Sequence, residues 1–251
     1  MSVDWESFTD RTIEAAEVRL LGYADALSVF ALQKLMMLEV RQQRQVSASV
    51  LICEHPPSLT AGRDASLLDL PTDRRELEAQ SLQLHKVARH GGTILHHPGQ
   101  MAAYVVVSLD ECGYGENEFC WRLQDAIIQS CEESQVRVCR SEHNPNVLLG
   151  RHGLVAEVAV GVEDGVTCFG LFLNISCDLE QARQFGRGLR GQRISSLNAE
   201  RVRPTIMPQI RTAMIRNLCE QIGYPEYHVH TGHPFMKRMA KVTGQVPNLP
   251  E

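Results

Sequence analysis

The sequence predicts an α+β fold, one mixed β-sheet with helices packed on it. Segments of helical period and apolar runs of strand length both occur. They do not follow a strict strand–helix–strand alternation, which argues against a doubly wound parallel sheet. The chain has 251 residues, 43% of them hydrophobic, enough for one sizeable core.

The elements follow in order. "DALSVFALQKLMMLEV" (25–40) puts Leu27, Phe30, Ala31, Leu35 and Leu38 at helical spacing and predicts an amphipathic helix. "SASVLICEH" follows as a buried strand. "TDRRELEAQ" opens on Thr72, a good cap, and predicts a short helix. "LQLHKVAR" alternates like a strand, and "MAAYVVVSL" (101–109) is a strongly apolar one. "NEFCWRLQDAIIQSCEES" (117–134) predicts a second long helix. "NVLLG", "GLVAEVAVGV" and "TCFGLFLNIS" read as successive strands, with turns at Gly150, His152 and Gly153 and at "EDG" (163–165). "MPQIRTAMIRNLCEQIG" (207–223) predicts a late helix closed by Gly223. Residues 1–235 are expected to form one domain and 236–251, which lack an apolar pattern, a flexible tail.

Charge and composition exclude several classes. A formal net charge of -5 argues against nucleic acid as the main partner. No apolar run reaches the roughly 18 residues that cross a bilayer, so no membrane association is expected. The N-terminus "MSVDWESFTD" lacks a basic segment followed by an apolar one, so the expectation is a soluble, cytoplasmic protein. Eight cysteines occur without a CxxC pair, and thiols rather than disulfides are expected. Neither the adjacent His96 and His97, nor "HVHTGH" (228–233), nor Cys139 with His143 has the spacing of a tetrahedral metal site, so no metal is expected. The carboxylate pairs Asp110–Glu111 and Glu132–Glu133 read as solvated surface.

"RHGGTILHHPGQ" (89–100) is the segment whose composition asks for a function. Gly91 and Gly92 allow the backbone to approach a ligand and turn N–H groups toward it. Arg89 adds a fixed positive charge, and Pro98–Gly99 makes a tight turn into the next strand. The same residues also suit a plain connection between two strands.

The order of several motifs carries more. "EHPPSLTAGR" (54–63), "RHGGTILHHPGQ", "NVLLGRHGLVAEVAVG", "GVTCFGLFLNIS" and "ISSLNAE" (194–200) occur in one series. This series, over roughly residues 20–225, resembles the octanoyltransferase family of lipoate biosynthesis, whose members read EHPPVxTLGR, RGGxxTYHGPGQ, a KIAAIG-like strand, HGLALNV, a PCG loop and VTSLxxE. The resemblance implies the fold of the biotin and lipoate protein ligases. It implies an octanoyl group moved from acyl carrier protein to a lysine of a lipoyl-domain protein, with no cofactor. It implies substrate contacts at Arg89, His90, Gly91, Gly92, Thr93, Ile94, Leu95 and His96, at Glu157, Val158 and Ala159, and at Gly170, Leu171 and Phe172. Phe172 stands where a small alanine is usual and would shorten an acyl tunnel. His90 replaces a usual glycine, and a glutamate at 157 is unexpected.

The resemblance breaks at the reactive groups. The family's PCG cysteine position falls on Arg187, and no cysteine lies between 178 and 218. Its lysine position falls on Leu154, or on Gly153 if a gap is allowed, and the only lysines are 34, 86, 237 and 241. Phe169 replaces the histidine of HGLALN. Two readings stay open. In one the chemistry has moved: Cys177 in "NISCDL" is the nucleophile, and Arg187 or Arg151 lowers its pKa. In the other the protein is a catalytically inactive relative that binds an acyl or lipoyl ligand, or a partner. An ATP-dependent lipoate ligase, which also needs a lysine near the acyl phosphate, is a further alternative.

Overall fold

The computed structural model describes residues 15–42, 47–66, 82–180, 182, 193–201 and 203–236. The strands are β1 (Ala16–Tyr23), β2 (Ala48–Glu54), β3 (Ser58–Ala61), β4 (Leu84–Lys86), β5 (Thr93–His96), β6 (Gln100–Val107), β7 (Cys139–Arg140), β8 (Val147–Leu149), β9 (Leu154–Glu163), β10 (Val166–Asn174) and β11 (Tyr227–Thr231). The helices are α1 (Ala26–Arg41), α2 (Leu109–Cys112), α3 (Glu116–Glu133), α4 (Leu197–Glu200) and α5 (Met207–Gln221). Eight strands form a mixed sheet in the order β11-β1-β2-β6-β10-β9-β8-β7, in which β1 runs parallel to β2 and β11. A smaller sheet, β4-β3-β5, includes Thr93–His96 of the glycine-rich segment. The predicted α+β class with a mixed sheet is the observed one.

The large sheet is buried on both faces, and side-chain alternation sorts its residues. One face (Val50, Ile52, Met101, Ala103, Val105, Leu171 and Leu173) packs in the core that also holds Phe119, Leu123 and Ile127 of α3 and Ile210, Met214 and Leu218 of α5. The other face, with Leu51, Cys53, Ala102, Tyr104, Ala159 and Phe172, meets α1 and Ile94 of β5. This second face carries the candidate site.

Asp25 starts α1 as a cap, its Oδ2 accepting from the Ser28 N–H at 2.9 Å. The buried stripe of α1 is not the predicted one. Val29, Phe30, Gln33, Met36, Met37 and Val40 face the sheet, whereas Leu27 and Leu38 are half exposed. The helix is apolar on several sides, so its own periodicity allows two stripes. The contacts of Gln33 with the Phe169 N–H and of Met36 with the Ser49 hydroxyl select one of them. Asp164 and Gly165, both at positive φ, join β9 to β10 in the two-residue turn that "EDG" predicts. Gly223 follows α5 at φ +90°. The strand predicted over 101–109 ends at Val107, where Ser108 caps the short α2. The helix predicted from Thr72 lies outside the described residues, as do 237–251 of the predicted tail.

Candidate functional site

Five strands place a row of side chains across the second face. Cys53 of β2 pairs with Ala102 of β6, Ala102 with Phe172 of β10, Phe172 with Glu157 of β9, and Glu157 with Val147 of β8. The next row is Leu51, Tyr104, Gly170 and Ala159. These rows form an apolar floor. Gly170 permits it to close up, because a Cβ there would lie 2.3 Å from the Ala103 carbonyl oxygen.

The glycine-rich segment folds over one end of this floor as a clasp rather than as an open anion nest. Gly62 N–H donates to the Gly92 carbonyl, Arg63 N–H to that of Arg89, and Asp64 N–H to that of Gly91. In return, Gly91 N–H donates to Asp64 Oδ2 at 2.7 Å and His90 N–H to the Val160 carbonyl at 2.8 Å. A Cβ on Gly62 would stand 2.3 Å from the Gly91 oxygen, so only glycine fits there. Of the two amides expected to face a ligand, at Gly91 and Gly92, that of Gly91 is thus already spent within the protein, as is that of the neighbouring His90.

Arg89 is fully buried. Its Nη2 donates to the Thr60 carbonyl and to Thr60 Oγ1, both at 2.9 Å, and its Nη1 to the His90 carbonyl at 3.0 Å. Its Nε has no hydrogen-bond partner among the described residues. Burial pulls its pKa down to about 10, so the cation persists at neutral pH.

The chain continues from Thr60 to His96 Nε2 at 2.8 Å and from His96 Nδ1 to Gln100 Oε1 at 3.1 Å. Gln100 Nε2 donates to the Leu95 carbonyl and to Asn174 Oδ1. The donors assign the tautomer. Gln100 Nε2 spends its protons on Leu95 and Asn174, so Gln100 Oε1 accepts from His96 Nδ1–H, and Nε2 accepts the Thr60 hydroxyl proton. Burial, with His55 and Arg89 nearby, holds His96 well below the usual histidine range, so it is neutral. His55 is a second neutral histidine, brought to about 4 by burial. Its Nδ1 donates to the Ala24 carbonyl and its Nε2 accepts from Tyr104 Oη, each at 2.7 Å. The rings of His55, His96, Tyr104 and Phe172 meet edge to face.

Glu157 differs from these. It is half-buried, no hydrogen bond reaches its carboxylate among the described residues, and desolvation raises its pKa to about 7 against the opposing pull of Arg89. Phe169 is strained in another way: it adopts φ +60°, a left-handed conformation costly for a bulky residue, inside β10. Gln33 Oε1 holds it by accepting its N–H at 2.7 Å.

The sequence-derived site residues divide accordingly. Arg89, Ile94, His96, Glu157, Ala159, Gly170 and Phe172 converge on this face, with Gly92 in the clasp and Thr93 at its edge. Others do not. His90 is exposed and pairs with Glu116 at 3.1 Å. Leu95 turns to a satellite cluster with Leu59 and Ile194, because alternation along β5 sends it away from Ile94 and His96. Val158 and Leu171 lie in the opposite core for the same reason, leaving only their backbones on the site side. Leu154 lies at the start of β9 on the face of Glu157, but it is buried and its backbone is hydrogen-bonded to Arg193 and Ser195. Arg187 lies outside the described residues. Cys177 follows β10, and its backbone lies against the Pro98–Gly99 turn: a Cβ on Gly99 would meet Cys177 N at 2.8 Å.

Several partners went unassigned from sequence. Thr60, Gln100, Asn174, His55 and Tyr104 complete the network above. Glu54 Oε2 accepts from Gly99 N–H at 2.7 Å, fixing the turn. Glu200 of "ISSLNAE" accepts from the N–H groups of Arg151 and His152 and from Ser195, which ties the start of β9 to α4. The quoted motifs contained most of these residues, but composition alone does not distinguish a staple from a ligand contact.

The fold is one seen in solved lipoate protein ligases. The chain superposes on a bipartite lipoate protein ligase of Thermoplasma acidophilum, described with its E2 lipoyl domain, with a TM-score of 0.68 over 88% of each chain at 14% identity. Residues 25–219 match the lipoyl protein ligase A/B catalytic domain, and the chain belongs to that family. It is 30% identical over 153 residues to an octanoyltransferase of Maridesulfovibrio salexigens, covering 61% of this chain and 71% of that one. It is 29% identical over 223 residues to an octanoyltransferase of Roseiflexus, covering 83% and 87%. No helix among the described residues is long and apolar enough to cross a membrane.

Proposed function

We propose that the protein is an acyltransferase of lipoate biosynthesis, moving an octanoyl group from acyl carrier protein to a lysine of a lipoyl-domain protein. The observation that carries this reading is the convergence of Arg89, His96, Glu157 and Phe172 on one apolar face, in a chain of this family with octanoyltransferase relatives. The floor of Phe172, Tyr104, Ala102 and Ile94 suits a hydrocarbon chain. The Nε of Arg89, unpartnered among the described residues, suits an acyl oxygen at its head.

Cys177 is the nucleophile in this proposal. It stands at the end of β10 against the Gly99 turn, and Asp178 beside it acts on the His97 ring. Its thiolate attacks the thioester carbon, the carrier thiolate leaves, and the octanoyl-enzyme passes its acyl group to the lysine amine. Arg187 and Leu154 occupy the positions that the family gives to cysteine and lysine, so the nucleophile is displaced.

Mass spectrometry after incubation with octanoyl-acyl carrier protein tests this. The expected result is an octanoyl mass gain on the wild type that Cys177→Ser abolishes. Octanoyl ligand binding without an adduct on any cysteine would instead make the protein a non-catalytic acyl binder.

A further inference from the structure

We infer that Glu157 is the proton acceptor for the amine that enters this site, an inference that rests on the transferase reading. The first ground is position. Glu157 stands in the row between Phe172 and Val147 on the site face, and its carboxylate has no hydrogen-bond donor among the described residues. A half-buried carboxylate without a donor is costly to the protein and is relieved by a ligand that brings N–H groups.

The second ground is a bulge. Leu149 and Leu148 of β8 face Leu154 and Ala156 of β9, so Val155 is the extra residue. Val155 and Ala156 both point into the core beneath α3 and α5. The bulge therefore returns Leu154 and Glu157 to one face as neighbours. Leu154 is the position to which the resemblance assigns a lysine. On this strand the ionisable group has moved one same-face step, from 154 to 157, and become a carboxyl.

The surroundings suit a base. The strand partners Phe172 and Val147 do not titrate, and Arg89 in the clasp is the charge that acts on the carboxyl. His96, whose ring meets Phe172, and Tyr104 beyond it remain uncharged near neutrality. With a pKa of about 7, Glu157 is substantially ionised at neutral pH yet basic enough to accept a proton.

The step balances. The entering ammonium gives one proton to the Glu157 carboxylate. The nitrogen lone pair attacks the thioester carbonyl carbon, the C–N bond forms and the C–S bond breaks. The departing sulfur takes the second nitrogen proton, and Glu157 releases the first to solvent. The products are an amide, a thiol and one proton.

The test compares the full-length wild type with Glu157→Gln and Glu157→Asp. Transfer from octanoyl-acyl carrier protein to a lipoyl domain is followed against pH. The wild-type rate is expected to rise through a limb near pH 7. Glu157→Gln should be about 10²-fold slower and lack the limb, and Glu157→Asp should keep a displaced one. Infrared difference spectra supply a readout without turnover: a protonated carboxyl band that titrates near pH 7 and is absent in Glu157→Gln. A Gln variant with the wild-type limb and rate, or a wild type without that band, overturns the inference while leaving the transferase reading in place. A wild type that transfers from no thioester at any pH overturns the transferase reading, and the inference with it.

Discussion

Thr60 Oγ1 stands 2.8 Å from His96 Nε2 and accepts from Arg89 Nη2 at 2.9 Å, so a single hydroxyl joins a buried cation to a buried neutral ring. Gln100 Oε1 accepts from Nδ1–H of His96, so the hydroxyl donates to Nε2 while it accepts from Arg89. Replacing it leaves both neighbours short of a partner in a place water does not reach.

Thr60→Val, nearly the same shape, should therefore destabilise the protein by about 1–3 kcal/mol, whereas Thr60→Ser should cost less than half of that. Chemical denaturation of the three proteins at pH 7.5 checks the order. Equal midpoints for Val and wild type would remove the hydroxyl from the network.

The buried histidines and Glu157 give stability opposite pH dependences. His55, at about 4, and His96, lower than usual, have folded pKa values below their unfolded ones. The unfolded chain binds protons first, so their contribution is complete above about pH 6.5 and is lost as pH falls toward 4. His55 alone should account for about 3 kcal/mol of that loss. Glu157 is raised to about 7, so the folded protein holds its proton longer, and this contribution is lost as pH rises from about 4.5 through 7. Denaturation midpoints measured across this range should fall steeply on the acid side. Glu157→Gln should gain stability relative to wild type at pH 8.

Phe172 packs against His96 and Tyr104 with ring centroids 4.9 and 5.9 Å away and is 2% exposed. Phe172→Ala should cost about 3–5 kcal/mol through the cavity it leaves. The same cavity should shift acyl preference from shorter toward longer chains. Competition among hexanoyl, octanoyl and decanoyl thioesters reads this directly. An unchanged order would place the acyl chain elsewhere.

The legible part of the fold was periodic. The long helices, the apolar strand after the glycine-rich segment and the hairpin at "EDG" follow from spacing and turn chemistry that the local sequence contains. The short strands β3 and β5 were not legible, because "SLTA" and "TILH" are too brief to carry a period and are strands only where they pair with each other. The buried face of α1 was misread because its own composition leaves two stripes open.

The site divides along the same line. By itself the sequence determined the motif series, and so the family, and it identified Arg89, His96, Glu157 and Phe172 as residues to watch. Tertiary structure alone decided their placement. Strand alternation turned Leu95, Val158 and Leu171 away from the site, and backbone pairing with residues 62–64 occupied the loop carbonyls while Val160 and the Asp64 side chain took the amides of His90 and Gly91. The bulge at Val155 put Leu154 and Glu157 on one face. Each of these outcomes depends on hydrogen bonds between segments distant in the chain, which no local pattern of residue types encodes.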